Sequence, residues 1–253
     1  MPARHNGPVS SNVRPHNLHR IGSPLSSHTA GHHRRSKPSI SITMTTAEMN
    51  DTASLRRCLS EPIPEVEIAA RYLDSAVAAH LDGKFTLAEE LILLADIPQI
   101  RRWTKSIWAN SSIHVRFQQA EPSLSRDLRA KARMPTTGDK ASVHSRDGYN
   151  CRFCGMPVIR RETRSRMRAA YPRALHWGSK EVEQHAAFQA MWAQYDHLLP
   201  HARGGTNGLE NLVLTCAPCN FGRAGYTLAE VGVADPIAPS PIASRWDGLE
   251  RFR

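Results

Sequence analysis

Apolar and polar positions divide the chain into stretches of different period. Ala69, Ala70, Leu73, Val77, Ala78 and Leu81 recur at helical spacing. Pro64 stands near a first helical position, and Asp82-Gly83 ends the helix. Thr86-Leu-Ala-Glu89 has the form of a capping box ahead of Leu91, Ile92, Leu94 and Ala95. Pro98 opens a third segment with Ile100, Trp103, Ile107 and Trp108, and a shorter basic helix is predicted from Ser123 to Arg133. Residues 61–134 therefore read as a helical accessory domain whose tryptophans pack in its core. Met134 to Gly138 reads as a linker, and Asp147-Gly148 as a turn.

Beyond residue 140 the pattern shortens. Asp196-His197-Leu-Leu forms a strand, Arg203 to Gly208 a turn-rich loop, and Leu212-Val-Leu214 a second strand. Cys219-Asn220 then opens a helix. Strand, loop, strand and helix make a ββα unit, so the predicted class is α+β. Residues 140–231 hold this unit together with a basic helical insertion, 156–194, in which Ser179 caps a helix carrying Val182, Ala186, Met191 and Trp192.

The two ends show no period. Residues 1–60 are rich in Ser, Pro, His, Arg and Thr, with no Asp or Glu up to Thr43, and read as a disordered basic leader. The stretch lacks the apolar core of a signal peptide. Its composition also matches an organelle transit peptide, or a segment upstream of a true start at Met44. Residues 232–253, with Pro236, Pro239 and Pro241, read as a loose tail on which Trp246 alone docks.

Charge narrows the partner. The 253 residues carry a formal net charge of +10, which favours a polyanion, nucleic acid before membrane. No apolar run approaches the roughly 20 residues needed to span a bilayer. The protein is therefore expected to be soluble and free of membrane. Four of the five cysteines fall in two C-x-x-C pairs and Cys58 is left over. An odd count argues against a disulfide framework and suits a reducing cytoplasm, where paired cysteines hold metal.

The pairs are Cys151-Arg-Phe-Cys154 and Cys216-Ala-Pro-Cys219. Two residues between thiolates let both reach one ion, and two such pairs make a structural Zn²⁺ site with no open position for catalysis. Asp196 and His197 are adjacent on a strand, so their side chains face opposite ways. A carboxylate is a ligand for Mg²⁺ or Mn²⁺, and an imidazole is a general base at neutral pH. The dipeptide alone is common and usually structural. A zinc deaminase is excluded, because no His has a Glu two residues later. A metalloprotease is excluded by the absence of H-E-x-x-H.

The assembled motifs resemble the HNH, or ββα-metal, nuclease family. They are Arg146-Asp-Gly-Tyr149, Cys151-x-x-Cys154-Gly, Asp196-His197-x-x-Pro200, Gly204-Gly205, Asn211-Leu212 and Cys216-x-x-Cys219-Asn220-x-x-Arg223. The resemblance implies a DNA endonuclease in which Asp196 and Asn220 bind the catalytic divalent cation and His197 activates water. It implies that Asn211 holds the His197 loop, that Arg223 contacts the DNA backbone, and that His201 is an extra histidine outside the motif. Arg146 and Arg203, and Arg160, Arg161 and Arg164 of the insertion, are further candidates for nucleic-acid contact. The alternative is a catalytically inactive, zinc-stapled module that binds nucleic acid.

Overall fold

The computed structural model describes residues 55–108 and 122–253. Most of the expected leader, including Met44 and the histidines at 28, 32 and 33, lies outside the described residues.

Helix α1 (Pro64–Leu81) begins on a proline, whose fixed φ suits the first turn, and buries Val66, Ala69, Ala70, Leu73, Ala76, Val77 and Ala79. The buried stripe thus runs through Ala76 and Ala79 rather than Ala78 and Leu81, which face outward. Gly83, at φ +74°, closes the helix: its N–H donates to His80 O and that of Lys84 to Ala79 O, two of the carbonyls left open at the helix end. That turn hands the chain straight to α2 (Phe85–Leu94), so Thr86 lies inside the helix and the expected capping box does not form. Helix α3 (Pro98–Trp108) buries Ile100, Trp103 and Ile107.

Residues 123–133 do not form the predicted helix. They contain one 3-10 turn, Arg126–Leu128, and no other helix or strand. The stretch read as a linker instead starts α4 (Thr137–Asp147). Thr136 Oγ1 accepts from Asp139 N at 3.1 Å, and the Asp139 carboxylate accepts from Thr136 N at 2.7 Å, a reciprocal cap.

In the insertion, α5 (Arg161–Ala170) buries Thr163, Arg164 and Met167. The helix expected from Ser179 is shorter and starts later. Residues Glu181–Glu183 make a 3-10 turn, and α6 (Ala186–Ala190) begins where Asp96 Oδ1 accepts from Ala186 N at 2.6 Å. A carboxylate from the α2–α3 connection thus caps a helix ninety residues away in sequence.

The only sheet among the described residues has two antiparallel strands, β1 (Ala193–His197) and β2 (Leu212–Cys216), with Asp196 opposite Val213 and His197 opposite Leu212. Helix α7 (Ala217–Arg223) follows at once with Cys216 as its N-cap. This is the ββα unit of an α+β fold. Residues 55–108 and the ββα unit share one buried core, in which α3 crosses α7. The crossing is close because residue 222 is glycine: a Cβ there would sit 2.6 Å from Ile107 Cγ2. Arg56 pairs its backbone with Gly232 and Ala234, and Leu249 and Phe252 are buried. No helix among the described residues is long and apolar enough to cross a membrane.

Candidate active site and metal centre

The four cysteines come together. Their sulfurs lie within 4.8 Å of one another, all buried, with Cys154 Sγ 3.6 Å from Cys216 Sγ. Tetrahedral Zn–S bonds of about 2.3 Å require sulfurs roughly 3.8 Å apart, so the cluster fits a zinc-binding site. Two local devices build it. Gly155 at φ +79° turns the first knuckle back, with Gly155 N donating to Cys151 O. The first turn of α7 supplies the other two sulfurs. Burial, together with neighbouring sulfurs, pushes the Cys154 and Cys216 thiols up. Burial opposes the thiolate of Cys151 as well, yet hydrogen bonds from the other three sulfurs hold that thiol well below its ordinary value. A divalent cation takes the place of such shared protons.

Asp196 lies at the end of β1, buried, and is gripped by Arg223 from α7. Arg223 Nε donates to Asp196 Oδ2 at 3.0 Å, and its Nη2 lies 2.6 Å from Oδ1. The same guanidinium donates to the carbonyls of His197, Leu198 and Tyr226. At 2% exposure it offers no face to a DNA backbone; it fastens β1 to the helix. Burial pushes the Asp196 carboxyl up, and Arg223 opposes that rise.

Asn211 ties down the loop between the strands. Its Oδ1 accepts from Leu199 N at 2.8 Å, and its Nδ2 donates to Leu199 O and Thr206 O. Gly205 is required beneath it, because a Cβ would collide with the Leu199 carbonyl.

His197 Nε2 lies 2.8 Å from Asn207 Oδ1. Asn207 Nδ2 donates to Ala132 O and Met134 O, which fixes the amide orientation. An oxygen facing the imidazole requires Nε2 to carry the proton. Nδ1 of the neutral ring is then its basic atom. Asn207 was not singled out by sequence; a polar residue ten positions on in a turn-rich loop carries no signal of its partner.

Asp196, His197, His201 and Asn220 line one cleft of about 1030 Å³, with Tyr195 and Phe221 beside them. Its facing wall is the 126–135 segment, which brings Arg126, Arg129, Lys131 and Arg133. His201 fastens that wall, with Nε2 2.8 Å from Ala130 O.

Of the other arginines expected to meet nucleic acid, all but Arg161 are turned to internal work. Arg146 pairs with the buried Asp147 through Nε and Nη2, both at 2.7 Å, and donates to Leu209 O and Leu212 O. Asp147 in turn accepts from Leu214 N, so the pair staples α4 to β2. Arg203 pairs with Glu230 and Arg160 with Glu250. Arg164 is buried, its guanidinium 3.5 Å over the Trp177 ring and 4.8 Å from that of Trp192. Arg161 is exposed on α5.

Residues 182–222 match the family model of the HNH endonucleases. The chain carries an HNH domain. The matched segment holds both strands, the Asp196-His197 pair, Asn211, the second cysteine pair and Asn220, and so spans one wall of the cleft. The first cysteine pair precedes the match and closes the HNH domain's sulfur cluster from outside it. No curated protein and no solved structure matches the chain.

Proposed function

We propose that this chain is a metal-dependent endonuclease that hydrolyses phosphodiester bonds of DNA at the cleft between β1–α7 and the 126–135 wall. The observation that carries the reading is the His197–Asn207 hydrogen bond. It supports an imidazole whose Nδ1 is free to take a proton beside a buried carboxylate and an amide.

The donor set suits a hard divalent cation. A carboxylate offers about four lone-pair sites, and the Arg223 fork uses two. Asp196 therefore keeps acceptor capacity toward the cleft, and Asn220 lines the same space. These two residues would hold Mg²⁺ or Mn²⁺, which supplies charge neutralisation at the phosphate and the leaving oxygen. His197 Nδ1 accepts the proton of the attacking water, while Asn207 keeps Nε2 protonated and the ring in place. Arg223 opposes the rise that burial imposes on the Asp196 carboxyl. Asn211 keeps the loop from moving His197 out of line. The four cysteines would hold Zn²⁺ as scaffold alone, because all four tetrahedral positions are filled.

The buried Arg223–Asp196 pair also favours a second reading, a zinc-stapled module that binds nucleic acid without cutting, since it engages the carboxylate internally. Plasmid cleavage in Mg²⁺ or Mn²⁺ separates the two. His197→Ala is expected to lower the rate by roughly 10²–10⁴-fold, the usual contribution of a general base. A zinc-loaded, folded His197→Ala that cuts at the wild-type rate removes His197 from the mechanism. A wild type that never cuts leaves the binding module.

A further inference from the structure

The wall facing Asp196 and His197, residues 126–135, has no explanation in the HNH match, which begins at residue 182. It is built unlike the rest of the fold. Apart from one 3-10 turn, residues 122–135 make no helix or strand of their own, and distant groups hold them by the backbone. Leu124 N donates to Ala202 O at 2.8 Å. Ala130 O faces His201 Nε2, and the carbonyls of Ala132 and Met134 accept from Asn207 Nδ2. With its carbonyls turned to the HNH loop, the segment leaves its side chains for the cleft.

Those side chains are one-sided in charge. Arg126, Arg129, Lys131 and Arg133 stand against a single acid, Asp127. The Arg129 guanidinium donates to Leu124 O at 2.9 and 2.6 Å, so it is partly committed to shaping the segment. Arg126, Lys131 and Arg133 are exposed and line the cleft. Four of the other candidate arginines are paired, Arg146 with Asp147, Arg160 with Glu250, Arg203 with Glu230 and Arg223 with Asp196; Arg164 stacks on Trp177, and Arg161 is exposed on α5, outside the cleft lining.

We propose that residues 126–133 form a phosphate-binding strap that grips the backbone of duplex DNA across the cleft from Asp196 and His197. The proposal rests on the nuclease reading of that cleft. The strap carries no base-reading pattern, so its contribution is uniform across sequences, and it positions the scissile strand through its charge. Asn207 serves both walls: its Oδ1 holds His197 and its Nδ2 holds the strap.

The test is duplex binding by the zinc-loaded full chain, followed by fluorescence anisotropy without added Mg²⁺ or Mn²⁺ across a salt series. Replacing Arg126, Lys131 and Arg133 by Gln together is expected to flatten the log–log salt slope by about 2.7, three contacts at about 0.9 each. Binding weakens alike on unrelated duplexes. Lys131→Gln alone, at an exposed position, should flatten the slope by about 0.9 and serves where the triple variant fails to fold. Unchanged slopes in folded variants overturn the strap. A variant that loses single-stranded binding while keeping duplex binding overturns the assignment to duplex. Plasmid cleavage by the wild type is scored separately. A wild type that cuts while the slopes stay fixed overturns the strap alone. Slopes that flatten as expected in a protein that never cuts support the strap and overturn the nuclease reading. A wild type that binds no duplex overturns both.

Discussion

His197 is set by one side chain more than by its own strand. Asn207 presents its oxygen to Nε2 because its nitrogen is taken by two carbonyls of the facing segment. Asn207→Asp places a carboxylate beside Nε2–H and favours the imidazolium. The acid limb of the cleavage pH profile is then expected to move to higher pH. The substitution also releases Ala132 O and Met134 O, so the limb's position, and not the rate, is the diagnostic reading. An unmoved limb with reduced activity would make Asn207 merely a strap anchor. The same scale shows why Asp196→Ala is a poor probe. Removing one partner of a buried ion pair costs about 3–5 kcal/mol, so it would leave Arg223 unpaired in the core and lose stability along with any metal. Asp196→Asn keeps the shape and one of the two acceptor oxygens, at the cost of an NH2 donor facing the Arg223 fork.

At the scale of elements, the sulfur cluster is what joins the first knuckle to α7. Residues 151–156 touch the ββα unit through Arg152 N, which donates to Leu214 O, and through the four sulfurs. Cys219→Ser is expected to abolish zinc binding and to lower the melting temperature, because structural zinc contributes its binding free energy to folding. Metal analysis and a thermal scan check it; a purified wild type without zinc, or a variant that melts as the wild type does, ends the assignment. The cluster and the ββα unit were legible in the sequence because their signals are local: two-residue spacers, short apolar runs bounded by a turn-rich loop, a helix opening on Cys-x-x-Cys. The elements that were misread had distant causes. Nothing near residue 186 announces that Asp96 will cap it. The turn at Gly83 was visible, but not that it leads directly into a helix at Phe85 and leaves Thr86 inside it. The reciprocal cap at Thr136 and Asp139 was local, but the Gly and Pro around it read as a linker.

For the whole molecule, charge in a sequence looks the same whether it is paired or free. In the sequence, Arg160, Arg161 and Arg164 of the basic insertion read as candidates for phosphate contact. In the fold, Arg160 and Arg166 hold Glu250, Arg173 meets Glu89, and Arg164 stacks on tryptophan. The segment facing the cleft was read only as a short basic helix, since its anchors at His201 and Asn207 lie some seventy residues on. Another distant arrangement sets how the molecule answers to acid. His185 is fully buried between the α1–α3 helices and the insertion, with Nε2 2.9 Å from Ile92 O, Nδ1 4.0 Å from Asp96, and His176 and Arg101 nearby. Its Nε2–H donates to that carbonyl in the neutral ring. Burial holds its pKa below the usual histidine value, and burial does the same to His144, which bridges Gly148 O and the Tyr195 hydroxyl. The sign follows. Both rings favour the neutral form in the folded state, so the unfolded chain binds more protons below the unfolded value of about 6.5. Their stabilisation is fully present above that pH and is lost as pH falls toward the depressed folded values. The slope is at most about 1.4 kcal/mol per pH unit for each histidine. Denaturant titrations at a series of pH values from about 7.5 to 5.5 should show wild-type stability declining. Protonation of zinc thiolates acts in the same direction, so the comparison that isolates the ring is the difference between wild type and His185→Gln. That difference is expected to shrink on acidification, because the variant has no buried imidazole to charge. A difference that stays constant across the series would show that His185 takes no part in the acid response.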